Sequence, residues 1–246
     1  MNRLSPDKTK ISEPVPGIFI CLLDWTAVEP DPALLTEQER ARIEQAGDLR
    51  VRRRRTVGRA GLRWLVSVLS GEAVERLQQA GEPAVTPEDD PNCSWQGSIS
   101  HSGHWMVIAV SEKMIPGVDI EQIRTYPGKD CVSRRFFSEA EREWVAGEKI
   151  SQLESDLLGD ERFFRLWTRR EAVVKCLRRE ILNTFSCFAV PAVMEVQIPV
   201  QIAVRSDMDR EDKTVFMMDL PGLPSGLAGA LAWYPRGSSG ESQLIR

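Results

Sequence analysis

Histidine, paired cysteine and long apolar runs are what this chain of 246 residues is short of. The two histidines are His101 and His104, and no third imidazole or thiol lies near them, so a zinc centre is not expected. Cys21, Cys93, Cys131, Cys176 and Cys187 are scattered and never spaced C-x-x-C. They imply neither a zinc knuckle nor a disulfide framework, and they suit a reduced, cytoplasmic setting. No stretch approaches the roughly 18 apolar residues of a membrane span. The opening MNRLSPDKTKISEP lacks the apolar core of a secretory signal and is expected to be a short flexible leader. A net charge of −4 gives little general attraction for nucleic acid. Neither a membrane nor a nucleic acid is an expected partner.

The charge is unevenly spread. Arg50, Arg52, Arg53, Arg54, Arg55, Arg59 and Arg63 crowd one stretch, whereas 86–90 and 139–143 are acidic. A basic stretch in an acidic protein points to a local anionic partner. The pattern predicts a buried strand over 17–25 and a helix over 36–46 opened by the capping box of Thr36 and Glu39. A second helix is expected over 49–69, stopped at Gly71. Strands are expected at 105–110 and 118–123, separated by a break at Ile115-Pro116-Gly117. A second capping box, Ser138 to Glu141, opens a helix to about Ala146. Residues 151–161 are polar and expected to be exposed. Phe163–Leu177 is an amphipathic helix, and 193–204, 214–220 and 227–234 are β-rich. The fold class is α+β, with halves at 1–112 and 113–235 and a loose tail at 236–246.

Four groups of residues can carry chemistry. In Gly117-Val-Asp-Ile-Glu121 a strand places Asp119 and Glu121 on one face, half of a hard-cation site. An acidic outer strand face has the same spacing. In Trp167-Thr-Arg-Arg-Glu-Ala-Val-Val-Lys175 a helix places Trp167, Glu171 and Lys175 on one stripe, which an ordinary surface ion pair also explains. Ser100 and His101, in Ser98-Ile-Ser-His101-Ser, suit phosphate or ribose contact, or a hydrogen-bonded turn. The arginines, Arg55 and Arg59 among them, are a phosphate clamp or a solvated helix face.

In this order, the basic helix, I-S-H-S, G-V-D-I-E, F-F-S-E-A-E and W-T-R-R-E-A-V-V-K resemble the 4′-phosphopantetheinyl transferase superfamily, specifically its larger Sfp-type enzymes, over roughly residues 35–190. The resemblance implies a pseudo-dimer of two α+β halves with the active site at their interface. It implies transfer of 4′-phosphopantetheine from coenzyme A to a serine of an apo acyl or peptidyl carrier protein by a monomer. Asp119, Glu121 and Glu171 would hold Mg²⁺. Glu171 would take the serine proton, and Lys175 would stabilise the departing phosphate oxygens. Arg55, Arg59, Ser100, His101 and Arg170 would contact the coenzyme, His101 at its 3′-phosphate. Glu141 falls at the family's F-S-x-x-E glutamate, where its capping box favours a structural part.

Three positions depart from the family pattern. Arg170 stands where lysine is usual, Glu82 where the lysine of G-K-P is frequent, and Ser98 where asparagine is frequent. Glu82 and Arg170 leave room for an alternative, a non-catalytic protein of the same fold that binds coenzyme A or a carrier protein.

Overall fold

The computed structural model describes residues 10–79, 84–87, 94–147, 159–179, 184–194, 198–205 and 212–237. The chain divides into two compact units, Met1–Pro116 and Gly117–Arg246.

The first unit is built on a six-stranded sheet. Its strands are β1 (Lys10–Val15), β2 (Ile18–Asp24), β3 (Leu77–Gln79), β4 (Ala84–Pro87), β5 (Trp95–Ser102) and β6 (Trp105–Ser111), in the order β1-β2-β6-β5-β4-β3. Strand β1 corrects the flexible leader from Lys10 onward: it pairs antiparallel with β2, Lys10 opposite Leu22. As an edge strand it is largely exposed, so it carries no apolar alternation to detect. Gly103 turns β5 into β6 with φ of 59°, putting His101 opposite Met106.

Two helices complete the unit, α1 (Glu37–Glu44) and α2 (Leu49–Ser70). Helix α1 starts at the expected capping box of Thr36 and Glu39. Asp48 caps the start of α2, and left-handed Gly71 ends it. Its buried face, with Val57, Leu62, Leu65 and Val66, packs with Cys21, Leu23, Met106 and Ile108. Several of the arginines bind within the unit. Arg53 donates to the Val28 carbonyl, and buried Arg63 donates to the carbonyls of Val74 and Leu77.

The second unit has a four-stranded sheet of β7 (Met114–Gln122), β8 (Val200–Val204), β9 (Lys213–Asp219) and β10 (Leu227–Pro235), ordered β7-β10-β9-β8. The break expected at 115–117 is absent, because β7 runs through Pro116. At a sheet edge, a residue without an N–H is tolerated. The strand expected from 193 begins at Val200.

Helices α3 (Lys129–Phe136), α4 (Glu139–Ala146) and α5 (Gly159–Leu177) belong to this unit. Helix α3 has no counterpart in the sequence pattern, since it is only eight residues long and strongly polar. Helix α5 starts four residues earlier than its apolar stripe suggests. Asp160 and Glu161 make up its first turn, where their charge suits the helix dipole. Residues 151–158, most of the stretch expected to be exposed, lie outside the described residues. The core beneath α5 is aromatic, with Phe163 and Trp167 stacked at 6.1 Å and Trp167 edge-on to Phe185 at 5.6 Å.

Candidate functional site

Strand alternation puts Gly117, Asp119 and Glu121 on one face of β7, and α5 lies against that face. Gly117 makes the approach possible. A Cβ there would come 2.1 Å from the Ala172 carbonyl oxygen and 2.2 Å from the Cys176 nitrogen. With the helix that close, Lys175 Nζ donates to Asp119 Oδ1 at 2.6 Å. Asp119 is 4% exposed, so this contact is largely shielded from water. Glu121 lies nearer the surface, with Arg124 Nη1 at 3.3 Å from its Oε2.

Glu171 completes the group. Its carboxyl is pushed up to about 7, first by burial, then by the negative charge of Asp119, with Lys175 opposing and Glu121 adding to the rise. The three acids and the lysine singled out from sequence therefore form one electrostatic cluster. Among the described residues no three acidic, histidine or cysteine groups are already converged as a metal set. Asp119 Oδ1 is held by the Lys175 ammonium. The donors are all hard carboxylate oxygens, and after burial their mutual repulsion adds to the rise at Glu171; this donor set fits a small hard cation such as Mg²⁺ and does not fit zinc.

The shift has a sign that stability measurements can check. A carboxyl whose folded value lies above its ordinary 4.5 costs stability as it ionises, between about pH 4.5 and 7, and the cost persists above that range. In metal-free protein, Glu171→Gln is expected to raise the melting temperature by roughly 5 °C at pH 8. At pH 4 it should change little. An equal shift at both pH values in calorimetry would remove the electrostatic explanation.

The first unit carries a pocket of about 540 Å³, lined by Glu39, Arg42, Arg54, Arg55, Arg59 and His101 among others. Arg55 and Arg59 come from successive turns of α2, and His101 comes from β5. Glu39 is already engaged by the Thr36 backbone N–H and hydroxyl, at 2.9 and 3.1 Å. The remaining charge of the lining is cationic and suits a polyanion. Arg54 belongs to the basic stretch singled out in the sequence, whereas Arg42, on α1, carries no sequence signal of its own.

Two expected coenzyme contacts are placed elsewhere. Ser100 lies between Ile99 and His101 on β5, so its side chain is on the opposite, buried face and does not line the pocket. Arg170 is 1% exposed and donates to Glu141 Oε2 at 2.7 Å and to the Phe185 carbonyl at 2.8 Å. In both the side chain is turned inward, away from the pocket. Glu82 lies outside the described residues.

Comparison with known proteins adds an independent line. A family model described as the 4′-phosphopantetheinyl transferase superfamily matches residues 116–207. A Synechocystis protein, provisionally named a 4′-phosphopantetheinyl transferase, is 30% identical over 68% of this chain and 67% of its own length. A 4′-phosphopantetheinyl transferase of Bacillus subtilis is 33% identical over 46% of this chain and 45% of its own. The transferase Sfp of Bacillus subtilis strain 168 is 27% identical over 51% of this chain and 50% of its own. The matches thus span about half the length of the two Bacillus relatives.

Proposed function

The chain belongs to the 4′-phosphopantetheinyl transferase superfamily, and on that premise we propose that it moves 4′-phosphopantetheine from coenzyme A to a serine of an apo carrier protein. The observation that carries the proposal is the coupling of Asp119, Glu121, Glu171 and Lys175 within the matched region. The serine hydroxyl forms a bond to the phosphorus bearing the pantetheine arm, and the bond to adenosine 3′,5′-bisphosphate breaks.

Asp119, Glu121 and Glu171 are assigned to Mg²⁺, which when bound would neutralise and polarise the pyrophosphate. Glu171 takes the serine proton. Lys175 stabilises the departing phosphate oxygens. Arg55, Arg59 and His101, with Arg42 and Arg54, hold the anionic end of the coenzyme. Arg170 and Ser100 are not assigned to coenzyme binding. No described helix is long and apolar enough to cross a membrane. The proposed setting is cytoplasmic and the proposed state a monomer.

Incubation with coenzyme A, Mg²⁺ and a panel of apo carrier proteins tests the reaction. A gain of one phosphopantetheine group on any carrier, seen by mass spectrometry, is the expected result. Retained binding without a mass gain on any carrier would replace the transferase by a binding protein. For the pocket, Arg59→Ala and His101→Ala should each raise the KM for coenzyme A about tenfold while leaving kcat within a few-fold. An unchanged KM in both variants removes the pocket from the proposal. Loss of turnover in Glu171→Gln is also required; near-native turnover would leave the proton without its acceptor.

A further inference from the structure

Two consecutive buried arginines precede Glu171 on α5, and each is held by an acid from a different element. Arg169 donates through Nε and Nη2 to the two carboxylate oxygens of Asp219 on β9, at 2.8 and 2.7 Å. Its Nη1 reaches the carbonyls of Pro191 and Ala192, at 2.6 and 2.7 Å. Arg170 binds Glu141, on α4, and its guanidinium carbon lies 5.6, 5.5 and 5.3 Å from the rings of Phe137, Phe185 and Phe188. Glu141 in turn accepts from the backbone N–H groups of Ser138 at 2.6 Å and Val190 at 3.1 Å. One buried carboxylate therefore joins the start of α4, the middle of α5 and the segment following Phe185.

We propose that Arg170 and Glu141 are positioning residues, which together with the Arg169–Asp219 pair fix the rotation of α5 and so present Glu171 and Lys175 to β7. The inference rests on the transferase reading of that acidic cluster. At 3.6 residues per turn, successive side chains leave the helix about 100° apart. Two neighbouring arginines gripped from different directions therefore resist rolling of α5 in either sense. Glu171, the next residue, inherits that fixed direction.

Stability alone gives a poor account of such a device. Apolar residues of similar volume often fill the place of a buried ion pair at no loss of stability. Hydrogen bonds are directional where apolar packing is not, and direction is what the neighbouring glutamate needs. The same argument gives the arginine at 170 a purpose. Its fork serves Glu141 and the Phe185 carbonyl at once, which a lysine cannot do with the same geometry.

The test compares three variants of the full chain, Glu141→Gln, Arg170→Met and the double variant Glu141→Leu/Arg170→Met. It reads Mn²⁺ binding by electron paramagnetic resonance without coenzyme, the melting temperature, and kcat and KM. Each single variant should melt lower, since one buried group loses its partner. The double variant should recover the melting temperature to within about 3 °C. Its Mn²⁺ affinity should nevertheless stay about tenfold weaker, as when the residues that orient metal ligands are lost. Its kcat should fall while the KM for coenzyme A holds. If the single variants do not fold, the double variant still decides. Native Mn²⁺ affinity and native kcat in the double variant would overturn the proposal and leave the pair as a structural staple. A native chain that binds no Mn²⁺ would overturn the metal assignment itself, and this proposal with it.

Discussion

Replacing Asp119 by asparagine is expected to lower carrier modification by at least about a thousandfold, the scale on which preorganised charge at a reacting centre acts. The change keeps the shape of the side chain and removes its charge. Asp119 is nearly fully buried, and its Oδ1 is the partner of Lys175 at 2.6 Å, so the substitution strikes two parts of the cluster together. A metal assigned to three carboxylates loses one of them, and added Mg²⁺ should not restore turnover. The lysine also loses the group that fixes its direction. Because the Lys175 side chain is 30% exposed, water can take over part of that contact and the fold should survive. Circular dichroism and the melting temperature provide that control. Turnover within tenfold of native, in a variant of native fold, would remove Asp119 from the machinery.

The second large effect is structural. Gly117→Ala should lower the melting temperature by more than about 10 °C, or prevent soluble expression, because overpacking against an unyielding neighbour costs several kcal/mol. The atoms an added Cβ would meet are all backbone: the Ala172 carbonyl oxygen at 2.1 Å, then the nitrogen and Cα of Cys176 at 2.2 and 2.7 Å. No side chain can swing aside, so β7 and α5 must separate. That separation would also pull Lys175 off Asp119, and any surviving protein should be inactive. Gly47→Ala is the control. Nothing lies within 4 Å of a Cβ there and the backbone is not left-handed, so it should be neutral or slightly stabilising. Equal behaviour of the two variants would refute the close-approach argument.

These two residues also show how far the sequence could be read. Asp119 was legible because alternation along a strand is strict, so D-x-E had to put two acids on one face. The capping boxes at Thr36 and Ser138 were legible for a similar reason, since each lies within four residues of chain. Gly117 was seen, but as part of a turn. Its meaning depends on a helix more than fifty residues later, which no local pattern carries. Ser100 and His101 are adjacent and both polar, so only their strand, with the sheet face it gives each, separates them. The burial of Arg170 is not legible in the sequence, because composition treats a guanidinium as a surface group. Its burial depends on one acid and three aromatic rings from distant segments. Strand β1 and helix α3 were missed because neither buries a continuous apolar face.

The contact between Lys175 and Asp119 also bears on how such a centre is filled. One oxygen of the acidic cluster is held by a tethered cation, the Lys175 ammonium. On the proposed assignment, loading is an exchange of occupants, and its free energy is a difference between two of them. On that assignment the displaced ammonium would stay on the same helix, one turn beyond Glu171, with its charge available to the incoming phosphates. Lys175 would then serve in turn as the holder of the site and as the second cation of the loaded centre.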